Sequence, residues 1–125
     1  MMTKSISSVL LVDDDPNVRG VVELVMQHYQ IQLNVVNDAE TALDYLESNQ
    51  PMIVIMDIFL PGMDGYQALK KLRSSDDTLK QTVIATSAYY TSDSAQSITD
   101  SGFDGFIPKP IDPTQLVAYL ESILD

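Results

Sequence analysis

Short apolar runs alternate along this chain with longer stretches whose apolar residues recur at helical spacing. Ser8–Val12 (SVLLV) reads as a buried strand. From Pro16 to Tyr29, Val18, Val21, Val22, Val25 and Tyr29 fall at helical spacing, with Asp15 the expected N-cap and Pro16 the first helical residue. Gln32–Val36 is a second predicted strand. Asn37-Asp38-Ala39-Glu40 has the form of a capping box and opens a helix with Ala42, Leu43 and Leu46 inward, ended by Pro51. Residues 52–56 read as a third strand. Residues 64–74 read as a helix carrying Tyr66, Leu69 and Leu72, and residues 82–86 as a fourth strand. Residues 91–101 predict a weak helix, because Ser, Thr and Asp dominate it and only Ala95 and Ile98 are apolar; Gly102 stops it. Residues 103–107 are the expected fifth strand. Asp112-Pro113 is the expected start of a last helix with Leu116, Val117, Leu120 and Leu124 on its inner face.

Strand–helix alternation of this kind implies a parallel sheet with helices on both faces. The apolar runs agree, since strands covered on both sides lack polar alternation. Residues 1–125 are expected to form one domain of the α/β class. In such a sheet, ligands bind beyond the carboxyl ends of the strands, where the strand order switches.

Composition narrows the function. Hydrophobic residues make up 45% of the chain, which fits a folded domain. The net charge of −11 repels phosphate backbones, so no direct nucleic-acid partner is expected. No apolar run approaches the roughly 20 residues of a membrane helix, and MMTKSISS lacks the apolar stretch of a signal peptide. Neither a membrane partner nor export is expected. The absence of cysteine excludes disulfides and thiolate metal sites and agrees with a cytoplasmic setting.

The stretch VIMDIFLPGMDG, residues 54–65, runs up an apolar strand and stops on a carboxylate, Asp57. The other strand ends carry chemistry too. Asp13, Asp14 and Asp15 follow the first strand, Thr86 and Ser87 the fourth, and Lys109 with Pro110 the fifth. Each alone has an ordinary structural reading: an aspartate as a helix cap, which suits Asp15, a lysine as a solvated side chain, a hydroxyl as a turn residue. All of them belong to one edge of the sheet. Asp13, Asp14 and Asp57 placed together repel unless a cation neutralises them. An all-oxygen ligand set selects a hard ion, Mg²⁺, with Mn²⁺ the alternative. A carboxylate can accept a phosphoryl group as nucleophile, and a hydroxyl and an ammonium can hold the phosphoryl oxygens.

LLVDDDPNVR, VIMDIFLPGMDG, ATSA and FIPKP, in this order, resemble the motif set of the receiver domains of bacterial two-component response regulators, of the chemotaxis-regulator kind. The resemblance runs from about Ser8 to Leu124. It implies a flavodoxin-like three-layer αβα sandwich with five parallel strands in the order 2-1-3-4-5 and five helices. It further implies that Asp57 is the phosphoacceptor, and that Asp13, Asp14, Asp57 and the backbone carbonyl of Phe59 bind Mg²⁺, Asp13 mostly through water. Ser87 matches the switch hydroxyl, Lys109 the phosphate-binding lysine, and Phe106 the switch aromatic. The Lys109–Pro110 bond is cis in such domains. Phe59 and Tyr89 stand where the family lines the path of hydrolytic water, and two rings there would slow dephosphorylation. The implied donor is a sensor histidine kinase or a histidine phosphotransfer protein. The implied output is a changed surface on helix four, strand five and helix five, in a monomer or a phosphorylation-dependent dimer. No turnover of an external substrate is expected.

Two other readings compete. A haloacid-dehalogenase-like phosphatase would use Asp13 as nucleophile and Asp15 as acid, but no later acidic metal motif is present. A receiver fold that is never phosphorylated would serve only as an interaction module, against the intact set of Asp13, Asp14, Asp57, Ser87 and Lys109. No Gly-rich loop follows the first strand to cradle a nucleotide, and His28, beside Tyr29, is read as without a role.

Overall fold

The computed structural model describes residues 6–88 and 92–124, with only the backbone of residues 92–95. Strands and helices alternate: β1 Ser8–Val12, α1 Pro16–His28, β2 Gln32–Val36, α2 Ala39–Ser48, β3 Ile53–Asp57, α3 Gly65–Arg73, β4 Val83–Ser87, α4 Ser92–Asp100, β5 Gly105–Pro108 and α5 Leu116–Leu124. The five strands form one sheet in the order β2-β1-β3-β4-β5. Every neighbouring pair is parallel. The parallel sheet is what the alternation predicts, and the flavodoxin-like strand order is what the resemblance implies.

Alternate strand residues feed two cores. Val9, Leu11, Ile53, Ile55, Ile84 and Ile107 pack with α1 and α5. Leu10, Val12, Val54, Met56, Val83 and Ala85 pack with α2, α3 and α4. β3 is buried at all of its positions, which explains its unbroken apolar sequence. Each side chain of this size taken out of water contributes roughly 1.5–3 kcal/mol. β2, at one edge, is only partly buried.

Helix entries are set by caps. Asp15 accepts from the Asn17 N–H at 2.9 Å and opens α1, with Pro16 in its first turn. At α2 the cap is Asp38, accepting from the Thr41 N–H at 2.8 Å, so Asn37-Asp38-Ala39-Glu40 is not the box its sequence suggests. The capping box stands instead at α3. There the Asp64 side chain accepts from the Gln67 N–H at 2.9 Å and the Gln67 amide accepts from the Asp64 N–H at 3.0 Å.

Three strand boundaries differ from expectation by one or two residues. β3 and β4 each start and end one residue later, so Asp57 and Ser87 are the last rungs of the sheet rather than loop residues. β5 starts at Gly105, because Phe103 leaves the strand line to bury its ring against Tyr66, with ring centres 5.9 Å apart. The last helix starts later than Asp112-Pro113 suggests. The Asp112 side chain accepts from both the N–H and the hydroxyl of Thr114, which closes a turn before α5 begins at Leu116.

Candidate functional site

The carboxyl ends of β1 and β3 are adjacent in the sheet, so Asp13 and Asp57 emerge side by side. Asp13 is fully buried and Asp57 nearly so, while Asp14 is exposed. One carboxylate oxygen from each of Asp13, Asp14 and Asp57 lies within 4.8 Å of the others. Lys109 reaches in from the loop after β5, and its Nζ stands 3.0 Å from both Asp57 Oδ2 and Asp13 Oδ2. It donates a hydrogen bond to Asp57; its contact with Asp13 is an ion pair without hydrogen-bond alignment.

Backbone groups hold these side chains in place. The Asp15 N–H donates to Asp13 Oδ1 at 2.9 Å, and the Phe59 N–H donates to Asp57 Oδ1 at 3.0 Å. Both oxygens of Asp57 are therefore engaged, one by backbone and one by Lys109. The Lys109 N–H donates to the Ser87 carbonyl at 3.0 Å and ties the lysine's loop to β4. The Lys109–Pro110 peptide is cis. Ser87 is fully buried at the end of β4, next to Pro108 of β5. Thr86, paired with Asp57 across the sheet, is fully buried too, and its hydroxyl has no hydrogen-bond partner among the described residues.

Electrostatics follow from burial. Desolvation pushes the Asp13 carboxyl above its ordinary value; the Asp15 N–H and Lys109 pull it down, but less strongly, and Asp57 adds to the rise. Burial alone would lower Lys109, yet its close contacts with the carboxylates of Asp13 and Asp57 outweigh this, and its pKa ends above the ordinary 10.5. A buried carboxylate that is costly to charge, facing two more, is a set of oxygen donors suited to a hard divalent cation.

The strand-end residues Asp13, Asp14, Asp57 and Lys109 thus come together as their sequence positions suggest. Phe59 projects outward, 59% exposed, beside Asp57. Phe106 is half-buried on β5, against the core of α2, α3 and α4. Tyr89 lies outside the described residues. Sequence reasoning missed Gly65. A Cβ there would stand 2.8 Å from Ile58 Cα and 2.9 Å from the Asp57 carbonyl oxygen, so only glycine lets α3 start against the backbone of the Asp57 turn. The Gly65 N–H donates to the Ile58 carbonyl at 2.8 Å and closes that turn. The Asp64-Gly65 pair was the available signal. Tyr119, whose hydroxyl meets the backbone of Phe106, was missed as well and left no signal in the sequence.

Known proteins share this arrangement of chain. Residues 9–121 match the family model of the response regulator receiver domain. Response regulator Rre1 of Synechocystis sp. is 38% identical over 121 residues, which is 94% of this chain and 51% of Rre1. The chain therefore spans about half the length of that relative. Among solved structures, a protein from Chloroflexus aurantiacus described as a response regulator superposes with a TM-score of 0.88 at 28% identity, covering 96% of this chain and 98% of that one. The receiver domain of the sensor histidine kinase PA1611 from Pseudomonas aeruginosa, which holds a magnesium ion in its active-site cleft, shares the fold. Its TM-score is 0.85 at 24% identity, covering 97% of this chain and all (100%) of that domain. With the strand order, the acidic rim and a family match over nearly the whole chain in agreement, this chain belongs to the response regulator receiver domains, the phosphorelay signalling domains of two-component systems.

Proposed function

We propose that Asp57 is the phosphoacceptor of this receiver domain. The observation that carries this reading is the placement of one ammonium, Lys109 Nζ, 3.0 Å from the carboxylates of both Asp57 and Asp13. An Asp57 oxygen attacks the phosphorus of a phosphohistidine donor. The phosphorus–nitrogen bond breaks, and the imidazole leaves with its electron pair and takes a proton from solvent. No general base is needed, because the nucleophile is already a carboxylate. Lys109 faces the charge that develops on the phosphoryl oxygens, and the Ser87 hydroxyl caps another of them. Asp13, Asp14, Asp57 and the Phe59 carbonyl would hold a divalent cation, Mg²⁺ or Mn²⁺. The bound ion would neutralise charge between the carboxylates and the phosphoryl group.

The donor is a sensor histidine kinase or a histidine phosphotransfer protein, and the domain performs no turnover of an external substrate. Bonding of Ser87 to the phosphoryl group draws it toward the rim and frees space for the Phe106 ring. The face of α4, β5 and α5 then changes its partner. Phe59 and Tyr89, two residues after Asp57 and Ser87 in the sequence, slow hydrolysis and prolong the phosphorylated state. The setting is cytoplasmic, and residues 1–125 act as one receiver unit. A phosphatase reading is not favoured. Its nucleophile would be Asp13, whose side chain has no exposed surface, whereas the Asp57 side chain keeps an open edge (10% exposed).

Intact mass after incubation with a small phosphodonor tests the proposal. Wild type should gain one phosphoryl group only when Mg²⁺ is present, and Asp57→Asn should gain none. Equal uptake by the variant would move the acceptor elsewhere.

A further inference from the structure

β5 is an outer strand, with β4 on one side only. Outer strands turn alternate backbone N–H groups away from the sheet, where they stand as open donors unless something covers them. The outward pair in β5 is Phe106 and Pro108. Proline has no N–H. The Phe106 N–H donates to the Tyr119 hydroxyl of α5 at 2.8 Å. Glycine leaves the room for that approach: a Cβ on Gly105 would stand 2.5 Å from the Tyr119 oxygen and 3.0 Å from Ile123 Cδ1.

The two sides of Phe106 are held differently. Tyr119 packs with the core under α1 and α5, whereas the Phe106 ring packs with the core under α2, α3 and α4. The backbone is thus tied from one face of the sheet and the ring lies on the other.

We infer that Tyr119 is the positioning residue of the Phe106 switch. By tying the Phe106 backbone to α5, it lets the ring change place on the α4 side while the strand stays still. This rests on the reading of Phe106 as responding to phosphorylation of Asp57. Two consequences follow. β5 and α5 move as one body, so the signal is carried by the ring and by α4. The β5 edge also presents no free N–H to an added strand.

Amide exchange and ring resonances of labelled protein test the inference, measured with Mg²⁺ alone and with Mg²⁺ plus beryllium fluoride as a phosphoryl mimic. In wild type the Phe106 amide should exchange slowly in both conditions. The mimic should shift the Phe106 ring and leave the amides of residues 105 and 107 in place. In Tyr119→Phe the Phe106 amide should exchange about tenfold faster, because its N–H loses its partner. The mimic's effect should then spread to residues 105 and 107. Gly105→Ala should do the same from the other side of the bond, with the tyrosine intact. Unchanged Phe106 exchange in both variants overturns the inference alone. A wild-type ring that ignores the mimic overturns the switch reading, and the inference with it.

Discussion

Two cations each bridge loops in this protein, at opposite ends of the sheet, and their surroundings differ. Arg73, at the end of α3, donates to the carbonyls of Leu79, Gln81 and Gly102 and to Asp104 Oδ2, at 2.7–3.1 Å. Asp104 Oδ2 in turn accepts from the Val83 N–H at 2.8 Å, so Arg73 staples two loops to the start of β4. Its partners are mostly neutral, and their lone pairs fit a planar fork. Lys109 instead faces two buried carboxylates that repel each other, with a third nearby. Arg73 has satisfied acceptors and serves stability. Lys109 is a point charge in a crowded acidic rim, where a phosphoryl group and a cation can change the balance.

Substituting the two cations in parallel breaks or sharpens this contrast. Lys109→Gln should slow phosphoryl uptake about a hundredfold, the scale of losing one preorganised donor to developing charge. The stability it loses should return on adding Mg²⁺, which replaces the missing positive charge. Arg73→Gln should leave the uptake rate unchanged but cost about 2 kcal/mol of stability, as its charged-donor bonds to the carbonyls of Leu79, Gln81 and Gly102 and to Asp104 are lost together. Mg²⁺ should recover none of that. Uptake assays and denaturant titrations with and without Mg²⁺ separate the two; a stability loss at Arg73 that Mg²⁺ reverses would sink the contrast.

Asp13→Asn gives a smaller effect of opposite sign. The folded-state pKa of Asp13 lies above its ordinary 3.8, so the fold prefers the protonated form. Its contribution to stability is present below 3.8 and is lost as pH rises through the raised value. At neutral pH without metal, the asparagine variant should therefore be more stable than wild type by about 1 kcal/mol. The wild type should close that gap when Mg²⁺ is added, while the variant gains less. Lys109 has the same sign, in an alkaline window. Its raised pKa means its stabilisation is complete below 10.5 and is lost only as pH rises through a value above that. Melting curves of both proteins across acid and alkaline pH would reveal the two windows, and an Asp13→Asn protein less stable than wild type at neutral pH would refute the assignment of cost.

Much of this was legible in advance because its signals are local. Alternation and unbroken apolar runs specify a parallel sheet covered on both faces. Carboxylates, a hydroxyl and a lysine that end strands on one edge must converge if the sheet is parallel. Boundaries were less legible, since a strand ends where pairing ends. Asp57 and Ser87 read as loop residues by polarity, yet they pair as the last rungs of β3 and β4. The capping box at Asp64 and Gln67 escaped notice while a false one at Asn37 did not, because the fourth-residue spacing alone does not say which residue leaves the helix first.

By itself the sequence determined the class of fold, the order of the chemistry along the chain and the presence of an acidic rim, because these depend on periodicity and residue type. Tertiary structure alone decided that Asp13 is buried and costly to charge, that Lys109 touches two carboxylates at once, that Gly65 must lack a side chain and that Tyr119 holds Phe106. Those facts are distances between residues far apart in the chain. Burial and close approach come from packing of the sheet against its helices, and no local pattern encodes them.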